Sequence, residues 1–199
     1  AKRGGLKDLT EYMEPVIDQY TESSTAGAYY NDKLYAVPSD IGPYGMFYRT
    51  DIFKEAGIDP ESIKTWSDFI KAGKKITKDI DGDGNIDQFM VTWPKEHYNV
   101  GNWYFGPMLE QIGENIFNDN GKVVLNKLDA NYKVVETMKD ITNANIGLNM
   151  NPFTAEWNVA IKSDKVATIL AGTWFMGNLP GIAPEDAGKW RLAPAPAFT

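Results

Sequence analysis

The chain contains no cysteine, which removes thiol nucleophiles, disulfides and every zinc site built on thiolates, while leaving the compartment open. It has one histidine, His97, so a histidine-paired metal site cannot be assembled, a histidine-based metal or triad site is not expected, and His97 reads as a surface loop residue. Positive charge is in deficit: 20 Lys and Arg against 27 Asp and Glu give a net charge of -7. Nucleic acid and anionic membrane surfaces both recruit a basic face, so neither is an expected partner. Long apolar runs are scarce too. The longest uncharged stretch, Val166 to Pro184, is interrupted by Gly172, Gly177, Asn178, Pro180 and Gly181, and reads as strand, turn and helix start rather than a membrane span. There is no Gly-x-Ser-x-Gly, no phosphate loop, no internal repeat and no low-complexity segment.

What is present supports a folded core. The 199 residues are 43% hydrophobic, enough for one domain or one domain plus a fragment of another. Aromatics reach 13%, with six Trp and ten Tyr, a supply that fills a core and leaves some for a site. Leu6, Leu9, Met13, Val16, Ile17 and Tyr20 recur at helical spacing divided by Pro15. Residues 34–37 and 44–48 read as strands, and Asp51 to Ala56 as a helical turn closed by Gly57. Thr65 with Asp68 resembles a capping box opening a helix whose inner face is Trp66, Phe69, Ile70, Gly73 and Ile76. A strand over 88–93, a helix over 103–112 with Pro107 in its first turns, and an Asn120-Gly121 hairpin into 122–125 follow. Asp129 then opens a helix with Val134, Val135, Met138 and Ile141 inward; a short helix covers 155–161, and 166–170 and 191–193 close the series as strands. The alternation predicts an α/β sandwich.

Four segments and a closing pair, in this order, resemble one family. They are GLKDLT (5–10), DKLYAVP (32–38), YRTDIFKEAGI (48–58), TWSDF (65–69), and the closing pair KVATILAGTW (165–174) with LAPAP (192–196). The chain is similar to family 1 extracellular solute-binding proteins, the maltose-binding-protein-like sugar receptors of ABC transporters. The resemblance implies an α/β fold, one lobe of a two-lobe periplasmic-binding-protein-like architecture (type II), with a mixed sheet flanked by helices. On that pattern residues 1–37 are a remnant of the first lobe, 38–42 the first hinge crossover, 43–193 the second lobe and 194–199 the second crossover. The opening at Ala1 without a signal sequence and the stop at Thr199 after a Pro-Ala-Pro run lead us to expect a piece cut from a longer chain. Implied with it are a sugar or oligosaccharide ligand, ABC permease subunits as partners, a monomer, no catalysis, and an extracytoplasmic location, periplasmic or as a cell-surface lipoprotein.

Sugars offer apolar C–H faces and hydroxyl edges, so their sites combine flat aromatic platforms with directed polar groups. By resemblance Trp174, at the family's Gly-x-Trp position, is the expected platform; the plainer reading is a core Trp under the strand. Trp103 and Tyr98 open a helix after a strand end, where ligand contacts gather in α/β folds, though simple packing serves equally. Asp40 and Tyr44 flank the first crossover, and a carboxylate there accepts hydroxyls or caps a turn. Glu156 and Trp157 read as a solvated charge and a packed ring. Asp79, Asp81, Asp83, Asn85 and Asp87 fall at calcium-loop spacing, with Gly84 at the tight turn; position twelve is Met90 instead of the usual Glu, and Asn85 and Gln88 offer further oxygens. The reading favours a structural calcium ion over an empty Asp-rich turn. Two other functions remain open: a glycoside hydrolase, for which Glu96, Glu110, Glu114 and Glu156 supply carboxylates without a recognisable pairing, and a calcium-organised adhesion module.

Overall fold

The computed structural model describes residues 3–39, 42–95, 100–118, 120–125 and 129–199, and the chain divides into two compact units, Ala1–Pro43 and Tyr44–Thr199. The first holds α1 (Thr10–Met13), α2 (Glu22–Thr25) and an antiparallel hairpin of β1 (Tyr29–Tyr30) and β2 (Lys33–Leu34). Its turn residues Asn31 and Asp32 both have positive φ, 49° and 58°. That two-residue geometry matches strand twist and suits short polar side chains. The strand expected over 34–37 therefore ends at Leu34, because its partner offers only two residues.

The second unit carries β3 (Tyr44–Arg49), α3 (Thr50–Glu55), α4 (Trp66–Ile76), β4 (Phe89–Thr92), α5 (Gly106–Gln111), α6 (Asp129–Asn143), β5 (Gly147–Leu148), α7 (Ala155–Lys162), β6 (Val166–Gly172), α8 (Leu179–Ile182) and β7 (Trp190–Pro194). Its five-stranded sheet has the order β5-β4-β6-β3-β7. β4 is parallel to β5 and β6, whereas β3 is antiparallel to β6 and β7. Helices cover both faces. Met46 and Leu170 belong to one core with Phe69, Ile76 and Met108, and Phe47 and Ile169 to another with Trp157 and Phe175. A strand buried on both faces cannot alternate polar and apolar residues, which accounts for the run in β6.

The helices follow local rules with informative exceptions. Thr65 Oγ1 accepts from the Asp68 amide, and the Asp68 carboxylate accepts from the Thr65 amide, so the capping box closes despite the shorter acid. Gly73 lets α4 approach its neighbour: a Cβ there would lie 2.6 Å from Ile146 Cδ1. On α6, Val134 and Ile141 are buried but Val135 is 52% exposed, a correction to the expected inner face. One residue further along turns the side chain about 100° off the stripe. The expected strand over 122–125 is reduced to a single bridge between Phe117 and Val123.

The antiparallel placement of β3 sorts the sheet ends. One end gathers the C-termini of β4, β5, β6 and β7 around Tyr44; the other holds Arg49 beside the start of β7. Arg49 is 1% exposed. Its guanidinium donates to Asp51 (2.7 and 2.9 Å), Asp164 (2.5 Å) and Asp186 (3.2 Å), and the Lys189 ammonium donates to Asp186 at 2.7 Å. Burial works against the Arg49 charge, but hydrogen bonds to Asp51 and Asp164 outweigh it and raise its pKa. Asp51 is held below its ordinary value chiefly by the same guanidinium.

Candidate functional site

At the Tyr44 end, three aromatic rings from three loops meet. Trp174 lies in the 3-10 turn Thr173–Gly177 that directly follows β6. Phe153 follows β5, and Trp103 lies in a π-helical turn, Gly101–Phe105, after β4. Phe153 stacks on Trp174 with ring centroids 6.1 Å apart and planes at 27°. Trp103 meets both edge-on, 5.6 Å from Phe153 and 6.1 Å from Trp174. Beneath them Trp157 and Phe175 are fully buried and touch Phe153 at 5.3 and 6.3 Å. The upper rings remain open, with Trp174 44% and Phe153 49% exposed. Rings rooted in the core and bare on top form a firm, flat, apolar surface.

Local chemistry explains how each ring is held. Pro107 follows Trp103 by four residues and has no N–H, so it cannot supply the α-helical bond to the Trp103 carbonyl. The Tyr44 hydroxyl donates to that carbonyl instead, at 2.6 Å. Burial, then the neighbouring Tyr104, raises the Tyr44 pKa well above its ordinary value, keeping the hydroxyl protonated as a donor. Phe153 has φ 63°, the left-handed region that a bulky side chain avoids. Buried Pro152 precedes it. Thr154 follows and caps α7, its Oγ1 accepting from the Trp157 amide at 3.2 Å and donating to the Asn151 carbonyl at 3.2 Å.

The sequence model of one family, bacterial extracellular solute-binding protein, matches residues 1–199. The chain belongs to that family. An arabinooligosaccharide-binding protein of Bacillus subtilis is 30% identical over 97% of this chain and 43% of its own length. One of Halalkalibacterium halodurans is 28% identical over 97% of this chain and 42% of its length. Among solved structures, an ABC transporter associated binding protein of B. animalis subsp. lactis in complex with beta-1,6-galactobiose is 27% identical with a TM-score of 0.82, covering 98% of this chain and 47% of that one. A receptor of Streptomyces glaucescens, solved unliganded and with acarbose, shares the fold at 21% identity and a TM-score of 0.74. The chain thus spans less than half the length of the curated relatives it matches. Its mixed sheet flanked by helices is of the type II periplasmic-binding-protein-like class.

Of the residues expected to contact a ligand, Trp174 and Trp103 meet in the cluster and Tyr44 supports it through the Trp103 carbonyl. Asp40 and Tyr98 lie outside the described residues, as do Glu96 and His97. Phe153 escaped the sequence reading; the available signal was an aromatic directly before the helix-capping Thr154. Trp157 is a packed core ring and Glu156 is exposed.

The acidic loop is closed by an antiparallel bridge between Lys78 and Gln88. Asp79, Asp81 and Asp87 each offer a carboxylate oxygen within 4.8 Å of the others. Asp79 accepts from the amides of Gly82 (2.7 Å) and Gly84 (2.8 Å), which hold its pKa below the ordinary value, the Gly84 bond most strongly. Asp87 accepts from the Ile80 amide at 2.8 Å. Asp83 turns to Asn85, accepting from its amide at 2.7 Å and from its side chain at 3.1 Å. Gln88 does not face the loop: it is 5% exposed and its side-chain amide donates to the Asp164 carbonyl at 3.3 Å. Met90, at the twelfth position, is fully buried in the core.

Proposed function

We propose that this chain supplies part of an extracytoplasmic receptor that binds a sugar or oligosaccharide and delivers it to the permease subunits of an ABC importer. The observation that carries this reading is the Trp103–Phe153–Trp174 cluster, exposed at the sheet end where four strand C-termini converge. A pyranose or furanose ring lays its C–H face on such a surface, and the net charge of -7 favours a neutral ligand over an anion. Ligands of this class pass on unchanged, so the receptor needs no catalysis, and it works as a monomer. Asp40 and Tyr98 would add polar contacts, and Tyr44 acts by holding Trp103. Residues 38–42 and 194–199 serve as crossovers, 43–193 as the second lobe and 1–37 as part of the first. The receptor works in the periplasm or as a surface lipoprotein.

The test is a thermal-shift screen of the protein, at the full length of its relatives, against arabinobiose, lactose and beta-1,6-galactobiose. Ligand at 100 times its dissociation constant adds about 2.7 kcal/mol, an easily measured rise in melting temperature. No shift with any of them or with a wider oligosaccharide panel contradicts the sugar reading. For the loop from Asp79 to Asp87 we propose a structural calcium ion, supported by the three convergent carboxylates. Removing calcium with EDTA should lower the melting temperature and restoring it should reverse the change; an unchanged curve makes the loop an Asp-rich turn and nothing more.

A further inference from the structure

We infer that Phe153 is a positioning residue of the sugar platform, covering Trp174 on one side and fixing the indole for the ligand; this rests on the platform reading above. Among the described residues, the non-glycine positions at positive φ are Asn31, Asp32, Asn145, Asp164 and Phe153. Asn and Asp visit the left-handed region because their short polar side chains bond locally, whereas phenylalanine has no such compensation. Phe153 is thus the exception among these residues. Strain of this kind persists only where its surroundings over-determine it, and buried Pro152 on one side and the Thr154 cap on the other do so here.

Folding alone returns little for the strain at Phe153. Its ring stays 49% exposed, so the strained position returns only part of the burial that a core phenylalanine would. What the conformation achieves is placement. It sets the ring near-parallel to Trp174, at 27°, and edge-on to Trp103, with Trp157 supporting it from below at 5.3 Å. An indole at a loop tip backed by a second ring loses less freedom when a sugar lands on it, which is the gain expected from preorganisation.

The test is a double-mutant cycle read by calorimetry in the full-length receptor, with whichever of arabinobiose, lactose and beta-1,6-galactobiose gives the largest thermal shift. Phe153→Ala should weaken binding by about three- to tenfold, the size of one aromatic pair. In a Trp174→Ala background it should weaken binding no further, because the residue acts through that indole. Phe153→Tyr should restore affinity. Phe153→Leu, which keeps most of the packed volume without the flat face, should behave like Ala and covers the case in which Ala fails to fold. Wild-type affinity in Phe153→Leu overturns the positioning role while leaving the platform intact, provided Trp174→Ala weakens binding. An equal loss in both backgrounds also overturns it, in favour of direct contact with the sugar. Unchanged affinity in Trp174→Ala removes the platform, and the role of Phe153 with it.

Discussion

Strand β3 begins at Tyr44 among exposed rings and ends at the buried Arg49 among three carboxylates, so the two ends of one sheet are made of opposite materials. At the Arg49 end the guanidinium is 1% exposed and meets three carboxylates, one of them, Asp186, 2% exposed. Desolvating these charges is unfavourable, and the offset comes from within the molecule as charge-assisted hydrogen bonds. At the Tyr44 end, Trp174 and Phe153 leave nearly half of their surface in water. That surface has no internal offset, which fits the proposed sugar platform. The ionic end locks three chain segments together, while the aromatic end stands where α/β sheets place ligands, outside the strand C-termini.

The comparison breaks most visibly at Arg49. Replacing it with Ala leaves Asp186 buried beside Lys189 alone. Removing one partner of a buried pair costs about 3–5 kcal/mol, and the remaining Lys189 contact places this change near 3 kcal/mol. Urea unfolding should show that loss, and a loss below 1 kcal/mol would mean the ionic end is ornamental. At the other end, Phe153→Gly should be more stable than Phe153→Ala by about 1 kcal/mol, reversing the usual ranking because glycine accepts φ 63° without a Cβ clash. Melting curves of the two variants decide the sign. The smallest effect is in acid. Asp51 is held below its ordinary 3.8 by Arg49, so its stabilisation is complete above that value and fades as pH falls through the lowered one. The gap in stability between wild type and Arg49→Ala should therefore narrow below about pH 4, and a constant gap would show that Asp51 contributes nothing.

What the sequence disclosed follows from how local each signal is. The apolar run of β6, broken only by Thr168, and the Thr65–Asp68 box are decided by neighbours in the chain, and both appear in the structure. β5 is two residues long and has no period to read, so the loop after it, and Phe153 in it, went unnoticed. Val135 sits beside Val134 and shares its chemistry, and only the packing of α6 shows which of them is buried. Arg49 bonds partners 115 and 137 residues away, contacts that no local pattern announces. Trp174 could be placed after a strand from sequence, but whether its ring lay under the sheet or in the open required the fold.

The most direct measurement is calorimetric titration of the full-length receptor with its best sugar, run on Trp174→Ala and Arg49→Ala alongside urea unfolding of both. Stacking beyond area burial is worth on the order of 1 kcal/mol, so Trp174→Ala should bind at least several-fold more weakly while unfolding close to wild type. Arg49→Ala should show the reverse, a large loss of stability with wild-type affinity in the folded protein. Equal affinity in Trp174→Ala and wild type, or a stability loss in Trp174→Ala as large as that in Arg49→Ala, would contradict the division of the sheet into a binding end and a locking end.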